Sequence, residues 1–150
     1  MSRIRITKKF TFETGHALFG HDGKCKNIHG HSYSLFVTVL GRPISESSNP
    51  KFGMVMDFSD LKKIVKEEII NPYDHATVFN KNSPHLELAN DLKKRGHKIV
   101  LVEYQPTSEM LVIDFAEKIK SLLPKNIELY SLKLQETATC YAEWYAKDNE

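Results

Sequence analysis

The sequence predicts an α+β fold in which an antiparallel sheet is built from two hairpins and helices are inserted between them. Three observations carry this. Apolar residues alternate with period 2 over residues 3 to 16, over 31 to 41, and again from Tyr130 onward. Between these stretches the period becomes helical, with Leu61, Ile64, Val65 and Ile69 at i, i+3, i+4 and i+8. The resulting order, β-β-α-α-β-β, places helices inside a hairpin-built sheet, which argues α+β rather than βαβ.

The elements follow in order. Ile4, Ile6, Phe10, Phe12 and His16 share one face of the first strand, and Arg3, Arg5, Lys9 and Glu13 share the other, the pattern of a half-buried strand. Gly20, Asp22, Gly23, Lys24, Asn27 and Gly30 form a long loop. The second strand then carries Tyr33, Leu35, Val37 and Val39 on the side of His31. After a loop from Pro43 to Pro50, an amphipathic helix opens near Asp57 or Ser59 and is expected to stop at Asn71-Pro72. Ser83-Pro84 and Gly96 bracket a short helix over 84 to 95. His97 to Tyr104 is a short apolar run, read as a strand or an extended excursion. Thr107 caps a helix carrying Leu111, Phe115, Ile119 and Leu122, which Pro124 ends. Tyr130, Leu132 and Leu134 alternate as a third strand, and Thr137-Ala138-Thr139 turns into a fourth with Cys140, Ala142 and Trp144 on one face.

Composition narrows the function classes. At 150 residues, 41% hydrophobic and 27% charged, the chain reads as one soluble domain, 1–150, with enough core to need no staples. A net charge of +2 and the lack of a basic, aromatic-interleaved stripe give no electrostatic case for nucleic acid or membrane as partner. Two cysteines, Cys25 and Cys140, are no disulfide framework, and charges crowd residues 1 to 9 where a signal peptide needs an apolar core. The expected compartment is the cytoplasm.

Histidine placement points to a metal. Of seven histidines, four fall between residues 16 and 31. His29 and His31 flank Gly30 on an extended chain, so their rings point the same way about 6.6–6.8 Å apart along the strand. An antiparallel return brings His16 beside them. Three imidazoles at one end of a hairpin make an open zinc site with a fourth position for water or substrate, and imidazole donors favour zinc among common metals. His21 is left in solvent, as are His85 and His97. Cys25 lies between Lys24 and Lys26, four residues before His29. The flanking ammonium groups and a nearby dication favour its thiolate, a nucleophile or general base. Cys140 reads as a small buried hydrophobe. Asp74 next to His75 can fix an imidazole tautomer, although adjacent side chains often point apart. Glu136 continues the Tyr130, Leu132, Leu134 face, where a carboxylate suits a ligand with two parallel N–H donors.

Phe12-x₃-His16, Cys25-x₃-His29-Gly30-His31, Asp74-His75, Pro106-Thr107-Ser108-Glu109 and Glu136-Thr137 together resemble the 6-pyruvoyltetrahydropterin synthase / 6-carboxytetrahydropterin synthase family, in order and over nearly the whole chain. The three-residue gap between the cysteine and the histidine motif resembles the bacterial 6-carboxy branch of queuosine biosynthesis. The resemblance implies the tunnelling fold (T-fold), with trimers closing a twelve-stranded barrel and two trimers stacked into a homo-hexamer. It implies one Zn2+ per chain on His16, His29 and His31, with Cys25 as general base. Asp74 and His75 become an acid/base pair completing the site across a subunit boundary, and Glu136 anchors the 2-amino-4-oxo edge of a pterin. Thr107, Ser108 and Glu109 are placed near the pocket. The implied substrate is 7,8-dihydroneopterin triphosphate. Two departures stand out: Thr14-Gly15 precedes the first zinc histidine, where the family often has alanine, and residues 76 to 105 are longer than in compact members.

Two other outcomes fit the same fold: triphosphate elimination to 6-pyruvoyltetrahydropterin, and side-chain cleavage to a 6-hydroxymethyl pterin. A reading from another class is a zinc-dependent ligand-binding module without turnover, in which Cys25 is inaccessible and unreactive.

Overall fold

The computed structural model describes residues 2–150, with Met1 outside them. Strands β1 (Ile4–His16) and β2 (His29–Gly41) form one long antiparallel hairpin in register from Ile4↔Gly41 to His16↔His29. β5 (Glu128–Gln135) adds to β2, and β6 (Tyr141–Tyr145) adds to β5, both antiparallel. The alternation legible in the sequence holds along the hairpin. Phe10, Phe12, Tyr33, Leu35, Val37 and Val39 are buried, and the intervening side chains face outward.

Helix α1 (Phe58–Val65) and helix α4 (Ser108–Lys120) cover this inner face, contributing Leu61, Val65, Leu111, Phe115 and Ile119 to one core with Leu132 and Leu134. Both start where the cap residues predict. Asp57 accepts from the Ser59 N–H and Thr107 accepts from the Met110 N–H, each satisfying an orphan donor of a first turn. Leu122 lies beyond the end of α4 and is exposed.

The first helix does not stop at Asn71-Pro72. It widens into a π-type turn over Lys66–Ile70 and continues as α2 (Asn71–Tyr73). Proline has no N–H to give and its ring crowds the carbonyl one turn back. The wider turn ahead of Pro72 accommodates both, and the helix runs one residue past the proline to bury Tyr73.

Residues 76 to 102 supply two strands and a helix. β3 (Ala76–Asn80) pairs parallel to β1 across Thr14–His16, and β4 (Ile99–Val102) pairs parallel to β3, giving the sheet order β4-β3-β1-β2-β5-β6. The crossover between them is α3 (His85–Lys94), closed by Gly96 at φ 91. Val78 points into the main core, whereas Phe79 points the other way onto Ala89 of α3. With Ala76, Val78 and Phe79 all buried, β3 lacks the period-2 signature, which is why the sequence did not announce it. The sheet is therefore antiparallel except at this parallel edge.

Three side chains lie elsewhere than expected. A register shift between Thr38 and Val39 sets Leu129 opposite Val39 and Ser131 opposite Thr38. Tyr130 is the extra residue, so it turns away from the face of Leu132 and Leu134 and stacks under the Arg5 guanidinium. Cys140 is exposed, because it sits in the turn before β6 rather than on that strand. His85 is half-buried rather than solvated; its ring packs edge-on against Phe19 and Phe79 at 5.2 and 5.4 Å. No helix of the described residues is long and apolar enough to cross a membrane.

Candidate metal centre and active site

The hairpin register builds the centre. His16, the last residue of β1, and His29, the first of β2, are cross-strand partners, and His31 lies two residues on along the same face. Their ring centroids are 4.6 to 5.1 Å apart. His16 Nδ1 lies 2.7 Å from the Pro106 carbonyl and His29 Nδ1 lies 2.7 Å from the Asn27 carbonyl. A carbonyl only accepts, so each Nδ1 carries the proton and each Nε2 presents a lone pair. Those two Nε2 atoms face each other at 3.1 Å. Two lone pairs at that distance repel unless a cation lies between them. Tetrahedral coordination at 2.0–2.1 Å would space its nitrogens by about 3.3 Å.

His31 Nε2 completes the set. It is buried, with only the Glu136 carboxylate approaching it. Burial holds the pKa values of both His16 and His31 below the ordinary histidine range, with the charge of His29 adding to the effect and Glu136 opposing it. Neutral imidazoles with inward lone pairs are what a divalent cation requires. Ligating atoms of His16, His29, His31 and Glu136 all lie within 4.8 Å of one another, so these residues fit a metal ion.

Glu136 is placed here by the turn after β5, where its N–H donates to the Cys140 carbonyl. Its Oε1 lies 2.8 Å from His31 Nε2 and 3.9 Å from His16 Nε2, and Oε2 accepts from the Ser108 hydroxyl. The sequence reading put this carboxylate on a ligand edge and left the imidazoles open on their fourth side; the structure brings it to that side. The signal lay in the register, since continuing Ser34↔Gln135 by one step sets Glu136 opposite Tyr33, next to His31. The start of α4 is part of the same construction. Thr107 gives its hydroxyl to the cap, Ser108 is buried against Glu136, Pro106 holds His16, and Glu109 is exposed one residue further on. Pro106 lies 90 residues from His16, beyond the reach of any local pattern.

The remaining candidates lie outside the ligand set. Cys25 is partly buried in a single 3₁₀ turn, Lys24–Lys26, which the Leu18 N–H holds by donating to the Cys25 carbonyl at 2.9 Å. Tyr33 was not singled out in the sequence beyond its core position. Burial, then the charges of Glu136 and Cys25, push its phenol pKa up, so it stays protonated. Asp74 and His75 do face each other, with Oδ2 3.0 Å from Nδ1. The Glu13 N–H donates to Asp74 and, ahead of His75, holds its carboxyl below the usual carboxylate range. His75 is strained at φ 60, and its N–H is tied to the Glu13 carbonyl at 2.6 Å. Its ring is 77% exposed and lines a shallow cavity of about 340 Å³ with His31, Gly15 and Gly30. The pair thus stands intact and exposed at the margin of the centre. His21 is exposed, as expected, and accepts from the Gly23 N–H.

A family model described as 6-pyruvoyl tetrahydropterin synthase matches residues 5–147. The chain belongs to this family. Among members of the synthase family, the 6-carboxy-5,6,7,8-tetrahydropterin synthase of Haemophilus influenzae is 38% identical over 142 residues, covering 94% of this chain and 98% of that one. The protein of the same name from Aquifex aeolicus is 34% identical, covering 93% and 96%. Among solved structures, Caenorhabditis elegans 6-pyruvoyl tetrahydropterin synthase superposes with a TM-score of 0.68 at 25% identity, covering 97% of each chain. An uncharacterized protein from Wolinella succinogenes, 20% identical with a TM-score of 0.76 over 97% and 99%, shares the fold. Synthase-family membership thus agrees with a T-fold sheet whose long helices lie on one face, and with an enzyme acting in pterin chemistry.

Proposed function

We propose that this chain is a zinc-dependent lyase that converts 7,8-dihydroneopterin triphosphate and one water to 6-carboxy-5,6,7,8-tetrahydropterin, acetaldehyde and triphosphate. The observation that carries it is the pair of Nε2 lone pairs at 3.1 Å, each fixed by a carbonyl behind it, with a carboxylate beside them. The names of the relatives support the 6-carboxy product over other outcomes of the same fold.

His16, His29 and His31 would hold the ion. When bound, zinc supplies Lewis acidity toward the hydroxyl oxygens of the substrate side chain. Glu136, with its carboxylate turned away from His31 Nε2, accepts from the 2-amino group and N3–H of the pterin, a charge-assisted pair of parallel bonds. That fixes the ring so that its C6 side chain reaches toward the histidines. Cys25, presented by its tethered turn, takes a proton from a side-chain carbon. His75, with Asp74 holding its Nδ1, relays protons from a neighbouring subunit. Exposure of the Asp74–His75 pair supports this division. So does β1, which pairs with β3 only over Thr14–His16 and leaves the edge of Ile4–Glu13 open to the sheet of another chain, as closing a barrel from three chains would need.

The test is to incubate the purified, zinc-loaded protein with 7,8-dihydroneopterin triphosphate and determine product masses. Carboxytetrahydropterin with acetaldehyde is expected. A 6-pyruvoyl product, a 6-hydroxymethyl pterin or unchanged substrate would overturn the assignment.

A further inference from the structure

The Asp74–His75 pair stands on a turn that its own segment does not complete. Asp74 leaves α2 in an extended conformation, ψ 127, and His75 follows at φ 60. In a continuing helix the His75 N–H would close on the Asn71 carbonyl; here it donates to Glu13 instead. That exit leaves carbonyls at the end of α2 short of backbone donors. The Thr14 hydroxyl donates to that of Tyr73 at 2.9 Å. The Lys98 ammonium donates to two more, Asn71 at 2.6 Å and Asp74 at 2.8 Å. A cation is the favourable donor at a helix C-terminus. Lys98 directly precedes β4, and its own carbonyl accepts from the Thr77 N–H at 3.0 Å, beside the Thr77↔Ile99 pairing. Its place is therefore set by the parallel strands β3 and β4, which α3 connects.

We propose that Lys98 is a positioning residue for the Asp74–His75 pair, and that the long segment from 76 to 105 serves to deliver it. The inference rests on the acid/base reading of that pair. The His75 ring is 77% exposed, so packing does not hold it. Its place is set by the backbone beneath it, and a strained φ persists only where the surroundings enforce it. Glu13 holds one side of the turn, giving its N–H to Asp74 Oδ1 and taking that of His75 on its carbonyl. Lys98 holds the other side, across the carbonyls of Asn71 and Asp74. Its charge also adds, after the Glu13 N–H and His75, to what keeps the Asp74 carboxyl below the usual carboxylate range. Without the ammonium, the turn loses the only donor that replaces the Asn71 bond forfeited at His75, and the imidazole is free to drift from its working position.

The experiment measures kcat and KM for 7,8-dihydroneopterin triphosphate in zinc-loaded wild type, Lys98→Met, Lys98→Arg and His75→Ala. Methionine keeps an unbranched stem and removes the donors, and Lys98 is exposed, so the core is left intact. For Lys98→Met the expected result is a kcat lowered about tenfold to a hundredfold, KM changed by less than about twofold and zinc content equal to wild type, the mark of misplaced reacting groups rather than lost binding. Lys98→Arg keeps the charge and paired donors and should recover most of the rate. Wild-type kcat in Lys98→Met, with His75→Ala impaired, would overturn the proposal and leave the acid/base pair standing. A loss carried by KM would make the lysine a contact of the substrate and overturn it too, as would an arginine variant no faster than the methionine one. Full activity in His75→Ala would overturn both the proposal and the reading beneath it.

Discussion

Glu136→Gln separates two roles that one carboxylate could play at this centre. The substitution keeps the shape of the side chain and an oxygen able to accept from Ser108, and removes only the charge and one acceptor. If Glu136 anchors the pterin, two charge-assisted hydrogen bonds become, at best, one neutral bond and one mismatched N–H. Each charge-assisted bond is worth about 1.5–3 kcal/mol. The loss for the pair is therefore on the order of 3 kcal/mol, or roughly a hundredfold in affinity. Zinc content should not change, because His16, His29 and His31 keep their inward Nε2 atoms. Isothermal titration with 7,8-dihydroneopterin and elemental analysis of the same preparation measure both quantities. Loss of zinc together with the carboxylate would refute this reasoning and make Glu136 a fourth ligand, a position its 2.8 Å approach to His31 allows.

Other consequences can be checked on the same material. Cys25→Ala should abolish turnover while zinc stays near one per chain, and full activity in that variant would remove the thiol from the chemistry. His31→Ala should lose metal and activity together, measured by elemental analysis and product assay; a variant that keeps its zinc would contradict the ligand assignment. The metal-free protein should lose stability as pH falls below about 6.5. Burial keeps His16 and His31 from protonating in the fold, so below that pH the unfolded chain binds more protons than the native one. Urea unfolding of chelated protein between pH 7.5 and 5 should show it, and a flat profile would count against the buried, neutral imidazoles.

Much of this arrangement was legible where chemistry follows local period. Alternation along the first hairpin put His16, His29 and His31 on one face, and antiparallel return did the rest, so the clustering of the three imidazoles could be read before any fold was seen. The caps at Asp57 and Thr107 and the glycine stop at Gly96 were equally local. What escaped was long-range or locally irregular. Strand β3 is buried on both faces and shows no alternation. Tyr130 was misplaced by one bulged residue, which reverses a side chain without leaving a mark in composition. The Ser108–Glu136 bond and the Pro106–His16 contact join segments 28 and 90 residues apart, and only the fold brings them together. Asp74 and His75 stood out as an adjacent carboxylate and imidazole, but the strained backbone of His75 and its outward exposure needed coordinates.

The most direct measurement is zinc K-edge X-ray absorption on the purified chain, compared with His16→Ala. The central claim predicts one zinc per chain with three imidazole nitrogens at about 2.0–2.1 Å, reduced or lost in the variant. A spectrum of sulfur ligands, or stoichiometric zinc with an unchanged shell in His16→Ala, would contradict it.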